Sequence, residues 1–354
     1  MDIAPVRTSC HGLPQGRRDP WISPVIEDLF DLNALTANDA ASVVAMKVAG
    51  LDRASRALTI TEGQLAVRQG MSIPVVAGRS SLTHFIDANP AKVSALLADD
   101  VAPKSELADG VYFAGALNYY HFMVFQFANL LWLKSSPDRT TVRVYTRHWI
   151  PSFLKDFVDR SLPTLSGGRP VDVVPIDDGD YALRRIIFPT KPDIAVVAHV
   201  CGRIVPAMAA GSAHASHAGF GRKLFVRRSS DHRRLMNENE VADWLAARGY
   251  DAIDPGALPF ETQVAVFAQA THIVGVEGAA MTNILFAAKA VHLVMLANPV
   301  TAAEPFFPML AKYGPVQMSV ITCEPRRIGA DLRNADFVLP PSRFGDLVAS
   351  ERGA

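Results

Sequence analysis

Several things are scarce in this sequence of 354 residues, and each shortage excludes a class of protein. Cysteine is rare: only Cys10, Cys201 and Cys323 are present, far apart and odd in number. That suits a reducing compartment and excludes a disulfide framework or a cysteine-built zinc site. Net charge is missing altogether, with 35 Lys plus Arg against 35 Asp plus Glu. A global basic surface for nucleic acid is therefore not expected, and any anion site has to come from local clustering. Long apolar runs are absent too. No window reaches the ~18 residues of a transmembrane helix. The nearest approach, 194–210, is broken by His199, Gly202, Arg203 and Pro206. The first 24 residues carry Arg7, His11, Arg17, Arg18 and Asp19, so they lack the apolar centre of a signal peptide. The expectation is a cytoplasmic protein without a membrane span, with peripheral contact at the inner membrane face left open. Repeats and low-complexity tracts are missing as well.

What is present reads as globular. Apolar residues make up 49% and charged residues 20%, enough for a sizeable core. The length suits two domains of roughly 100–200 residues. Residues 1–35 read as an irregular arm. Between 40 and 80, short β-like runs alternate with Gly50, Gly63, Gly70 and Gly78. Residues 90–99 read as a helix, and 118–134 as one long buried helix. Residues 209–221 are small, Gly-, Ser- and His-rich, and read as a linker between a domain at 1–208 and one at 222–354. From 223 onward, strands and helices alternate as β-α-β-α-β-α-β, which implies a parallel sheet covered on both faces.

Three segments could carry chemistry. Residues 222–234 (RKLFVRRSSDHRR) hold six Arg or Lys against one acid. Arg227 and Arg228 fall where a strand ends, the side on which open α/β sheets bind ligands. A guanidinium fork suits phosphate oxygens. A helix start near Asn237 and Glu238 follows, which favours an anion. A solvated basic loop is the plain alternative. Residues 273–286 (IVGVEGAAMTNILF) pass from a strand through Gly275 and Gly278 into a helix. Small side chains at Gly278, Ala279 and Ala280 allow close approach to free backbone N–H groups, which suits a diphosphate. A tight turn kept small for packing is the alternative; the third glycine of a dinucleotide fingerprint is missing. The third segment is Asn118, Tyr119, Tyr120, His121 and Phe122, where a histidine titrating near neutrality can serve as base or as donor to a phosphate or sugar; a satisfied core histidine is the plain and more frequent alternative. Asp178 and Asp180 are spaced as in metal-holding acid pairs, but with Asp177 and Gly179 the run reads rather as a surface turn. His214 and His217 lack a third ligand, so no metal site is expected.

Together, NYYHF (118–122), KLFVRRSSDHRRLMNENEV (223–241) and LPFETQVAVFAQATHIVGVEGAAMTNILF (258–286) resemble, in order and spacing, the family 61 glycosyltransferases. That family includes bacterial capsular-polysaccharide enzymes and eukaryotic xylosyl- and N-acetylglucosaminyltransferases. The resemblance implies an α/β fold of GT-B type: two Rossmann-like domains facing a cleft, here with a β-rich N-terminal portion. It implies inverting transfer from a nucleotide sugar, usually a UDP-sugar, to a polysaccharide, glycolipid or glycan, with no obligatory metal or other cofactor. It places catalysis on His121, with Glu277 as a second candidate. It places nucleotide and diphosphate binding on Arg227, Arg228, Asn237, Glu238, Gln263, Gly278, Ala279, Ala280 and Asn283. Asn118 and Tyr120 fall on the acceptor side. Two positions depart from the family pattern. Glu277 stands where a histidine is usual between the two glycines, and Phe125 stands where an acid usually follows the NYxHF histidine by four residues. These departures motivate a second expectation, a non-catalytic relative that binds a nucleotide sugar or glycan.

Overall fold

The computed structural model describes residues 41–47, 54–61, 63–68, 71–76, 79–80, 102–147, 149–190, 192–212, 214, 219–326 and 332–353. The arm at 1–35, Cys10, the helix expected over 90–99 and His217 lie outside the described residues. One compact unit closes at Val197, and a second opens at Ala198. The division falls ahead of the 209–221 segment, because the helix Val205–Ala209 buries Val205 and Ala209 and packs on the helix at Phe260–Gln269. Among the described residues, no helix is long and apolar enough to cross a membrane.

The first unit is built on strands β1 (Ala41–Lys47), β2 (Ala54–Ile60), β3 (Gly63–Arg68), β4 (Met71–Val76), β5 (Arg79–Ser80), β6 (Ser105–Leu107), β7 (Gly110–Tyr112), β8 (Val142–Thr146), β9 (Val171–Pro175), β10 (Gly179–Leu183) and β11 (Ile186–Pro189). They form two sheets, ordered β1-β2-β11-β7-β8-β9 and β5-β4-β3-β10-β6. In the first sheet β11, β7, β8 and β9 run parallel, while β1 and β2 join antiparallel. The second sheet is antiparallel except where β10 meets β6. The Rossmann-like layer expected here is thus a mixed one. Leu58, Ile60, Tyr112 and Phe188 of the first sheet share a core with Leu65, Val67, Tyr181 and Leu183 of the second.

Residues 118–134 are largely buried between an exposed Asn118 and an exposed Lys134, but they are not one regular helix. A short α-turn at Tyr119–His121 passes into a π-helical turn at Phe122–Gln126 and then a 3-10 helix at Phe127–Ser135. The change of winding falls at Gln126, whose φ of −122° leaves the helical region. A segment apolar on every side has no single face to align, so packing sets its winding. Its end is capped by Arg169. The guanidinium donates to the carbonyls of Leu133, Lys134, Ser136, Asp138 and Ser166, with a cation where the helix dipole is negative. Helix α1 (Lys155–Ser166) packs against this segment.

The second unit holds a five-stranded sheet of β12 (Lys223–Val226), β13 (Asp251–Ile253), β14 (His272–Val276), β15 (Val291–Ala297) and β16 (Val316–Thr322). Every neighbouring pair is parallel, in the order β13-β12-β14-β15-β16. Helices α2 (Glu238–Ala246), α3 (Phe260–Gln269) and α4 (Phe306–Tyr313) occur in the connections. Phe225, Val274, Val276, Val294 and Leu296 pack with Val241 and Leu245 of α2 and with Phe344 and Leu347. The alternate residues Leu224, Val226, Ile273 and Leu293 are buried as well, as a sheet covered on both faces requires. Each such side chain contributes about 1.5–3 kcal/mol by leaving water. Gly249 ends α2 at φ +78°, which a side chain disfavours. Its N–H donates to Ala246, and the Tyr250 N–H to Leu245, closing the last turn as a Schellman motif. The strand order reverses direction between β12 and β14, and the carboxyl ends of those two strands form the topological switch point.

Candidate active site

Arg227 and Arg228 directly follow β12, and Glu277 and Gly278 directly follow β14. Both candidate anion segments therefore meet at the switch point. The two arginines are not equivalent. Arg227 donates from Nε to Glu238 Oε2 at 2.9 Å and from an Nη to Asn239 at 2.8 Å, so its charge is matched by a carboxylate. Glu238 Oε1 also accepts the Arg228 N–H at 2.9 Å. Glu238 is thus the residue that holds this turn against α2. Arg228 donates from Nη1 to the Glu277 carbonyl at 2.9 Å, from Nε to the His232 carbonyl at 3.1 Å, and from Nη2 to the Ser230 hydroxyl at 3.4 Å. All three acceptors are neutral. Among the described residues no carboxylate lies within ion-pair distance of Arg228. Burial first, and then the neighbouring Arg233 charge, lower the Arg228 pKa, while Glu277 opposes this.

Gly278 is required by close approach. Its φ of 165° is ordinary extended backbone. A Cβ there would overlap Arg228 Nη1 and lie 3.0 Å from Cζ. Ala279 and Ala280 open the 3-10 helix Ala279–Phe286, which replaces the regular helix expected there. Their first-turn N–H groups have no partner within the helix. Glu277 is only 6% exposed, and Arg233 Nη1 donates to its Oε2 at 2.6 Å. The Arg233 cation thus compensates the carboxylate of Glu277.

Three other candidates are turned inward. Asn283 Nδ2 donates to Gln263 Oε1 at 2.9 Å, and Gln263 Nε2 donates to the Leu258 carbonyl at 3.0 Å. Both side chains are buried, so the pair bolts α3 to the 3-10 helix behind the turn. Asn237 makes no side-chain cap bond to α2. It clamps Leu339 instead, donating to its carbonyl at 2.9 Å and accepting its N–H at 3.3 Å.

The remaining candidates belong to the first unit. Asn118 Oδ1 accepts the His121 N–H at 3.2 Å and so caps the Tyr119–His121 turn. Tyr120 and Phe125 lie against the His121 ring, with centroids 5.8 Å and 5.9 Å away. The position where the family places an acid therefore supplies an aromatic wall. Asp178 pairs with Arg147, and Asp180 is buried within β10. The acid run expected to be a surface turn is half strand, since Asp180 pairs with Ala66 across the sheet. Among the described residues, no three His, Cys, Asp or Glu side chains gather to hold a metal ion.

Two residues of this neighbourhood escaped the sequence reading, Arg233 and Glu304. Arg233 lies within the basic run, but nothing local signals that it reaches Glu277, 44 residues away. Glu304 pairs with Arg333 at 3.0 Å. Burial raises its pKa, which Glu277 also raises and which Arg333 and Arg233 lower.

Comparison with known proteins assigns the stretch that contains these residues. Residues 119–294 match the family model of glycosyltransferase 61. The chain carries a glycosyltransferase 61 domain. That domain takes in every candidate residue but Asn118, which immediately precedes it. No curated protein matches the chain. Among solved structures it is similar to the bacterial iron-containing dodecameric glycosyltransferase TibC from enterotoxigenic E. coli H10407. The identity is 11%, the likeness covers 86% of this chain and 91% of that one, and the TM-score is 0.27. Overlap this loose assigns neither fold nor activity.

Proposed function

We propose that the protein is an inverting glycosyltransferase of GT-B type. It moves a hexosyl or pentosyl group from a UDP-sugar to a polysaccharide, glycolipid or glycan acceptor. The setting we propose is cytoplasmic assembly of bacterial cell-surface polysaccharide such as capsule. The observation that supports this reading is Arg228, held at the switch point by neutral acceptors alone. In the transfer, the acceptor oxygen attacks the anomeric carbon, the sugar–phosphate C–O bond breaks, and negative charge develops on the departing diphosphate. Arg228 and the N–H groups at Gly278–Ala280 stabilise that charge from fixed positions, without an obligatory metal ion. His121 takes the acceptor proton. It is preferred to Glu277, whose carboxylate is engaged by Arg233.

The test is incubation with a panel of UDP-sugars and saccharide acceptors, following UDP release and acceptor-dependent product. Arg228→Ala is expected to weaken UDP binding about 10–100-fold, the loss of charge-assisted hydrogen bonds of about 1.5–3 kcal/mol. Unchanged UDP affinity in that variant would overturn the phosphate assignment. A second reading, a non-catalytic nucleotide-sugar binder, draws support from the Phe125 wall beside His121 and from the tied carboxylate of Glu277. UDP binding by calorimetry without turnover on any acceptor favours it, and activity gained by Glu277→His points to a damaged enzyme.

A further inference from the structure

Arg233 is held in an unusual way. It is the one described non-glycine residue with positive φ, at 56°. An L-residue adopts that conformation at a cost, and such positions collect at functional sites when the surroundings enforce them. Its side chain is 18% exposed, and that of its ion-pair partner Glu277 is 8% exposed. One end of the guanidinium is engaged: Nη1 donates to Glu277 Oε2 at 2.6 Å. The other end is not, because Arg233 Nε is buried and has no hydrogen-bond partner. A buried donor left unsatisfied is costly.

Arg228 reaches the same glutamate from the backbone side, donating to the Glu277 carbonyl at 2.9 Å. Two guanidinium groups therefore converge on one residue, one at its backbone oxygen and one at its carboxylate. With Glu304 and its partner Arg333 counted, three guanidinium groups face two carboxylates, so one positive charge is left over. Each arginine has five N–H donors, and the bonds named above leave donors on both. A single phosphoryl group is served by one fork. Two forks set at the two ends of one glutamate suit two neighbouring phosphoryl groups.

We propose that Arg233 is a second phosphate-binding residue beside Arg228, that the two arginines clamp a diphosphate, and that Glu277 is a positioning residue that holds Arg233 in place. This inference rests on the diphosphate reading of the switch-point site and deepens it. The Nη donors of Arg233 that Glu277 leaves unused are the ones a bound phosphate oxygen takes. Glu277 acts through Arg233, not as a base.

The experiment is calorimetric titration of the full chain with pyrophosphate and with orthophosphate, with melting temperatures to check folding. The wild type is expected to bind pyrophosphate at least about tenfold more tightly, the scale of one added charge-assisted contact. Arg233→Gln is expected to erase that preference. Arg233→Lys keeps the charge and a partner for Glu277 but lacks the planar guanidinium fork, so it too is expected to lose most of the preference while melting near the wild-type temperature. Glu277→Gln is expected to lose part of it. If Arg233→Gln does not fold, the lysine variant decides. A wild type that binds neither ion overturns the clamp. So does a loss in the variants that is equal for both ions, or no loss at all. UDP and UDP-sugars separate the two readings. Arg233-dependent pyrophosphate binding with no UDP binding keeps the clamp and removes the nucleotide-sugar function. UDP-sugar turnover that is indifferent to Arg233→Lys does the reverse.

Discussion

The 118–135 segment and the β12–β14 switch point both lie in or beside the glycosyltransferase 61 domain, yet they are ordered by different forces. At the switch point, two parallel strands end together and present charged side chains whose hydrogen bonds are largely internal. Around His121 the order comes from rings packed on rings, with the backbone winding changing twice within the segment. One region is preorganised by charge and the other by volume. Substitutions that alter charge should therefore act on ligand binding at the first, and substitutions that alter packing should act on stability at the second.

The sharpest test of that contrast is Gly278→Ala. The added methyl group displaces the Arg228 guanidinium, so UDP or pyrophosphate affinity is expected to fall about 10–100-fold, as for removal of the arginine. Calorimetry on the folded variant measures it. Arg169→Ala should have the opposite profile. It strips the carbonyls at the end of the 127–135 helix of a charged donor and should cost about 3 kcal/mol or more of stability, read by thermal or denaturant unfolding. Affinity for UDP should stay unchanged at temperatures where the protein is folded. Gln263→Ala lies between the two. It removes the acceptor of the Asn283 Nδ2 donor behind the turn and should cost about 1–3 kcal/mol, read by thermal unfolding. Phe125→Leu removes the ring beside Tyr120 and His121 and should cost about 0.5–1.5 kcal/mol beyond lost area, with UDP affinity unchanged. A large effect on UDP binding from that variant would break the division between charge and volume.

The smallest effect concerns the thiols. Burial pushes the Cys323 thiol up to about 12 and raises that of Cys201 further. At pH 8 only about one Cys323 thiol in ten thousand is ionised, so iodoacetamide should leave both cysteines untouched until the protein unfolds. Rapid labelling of either in native buffer would show that its surroundings open readily.

The legible part of the protein was the part written locally. Lys223–Val226, Asp251–Ile253 and His272–Val276 read as strands because apolar and β-branched residues fill short runs between turn residues. Gly249 read as the end of α2 because only a residue free to take φ +78° closes that turn cheaply. The basic run at 222–234 and the small residues at 278–280 marked, before any contact was known, the two segments that meet at the switch point. The 118–134 segment was legible as buried but not as irregular, since an apolar stretch carries no period from which to read its winding. The linker expected at 209–221 lay too late, because composition does not reveal that the helix Val205–Ala209 packs on α3.

The amino-acid order alone determined the alternation of strands and helices, the neutral overall charge and the concentration of arginine at one strand end. Only the tertiary structure decided how those arginines differ. Arg227 is neutralised by Glu238, Arg228 rests on neutral carbonyls, and Arg233 is matched to Glu277 from 44 residues away. Propensity and turn chemistry act over a few neighbours and are visible in a string of letters. Charge pairing acts through space, and which carboxylate meets which guanidinium is settled only when the sheet brings distant strand ends together.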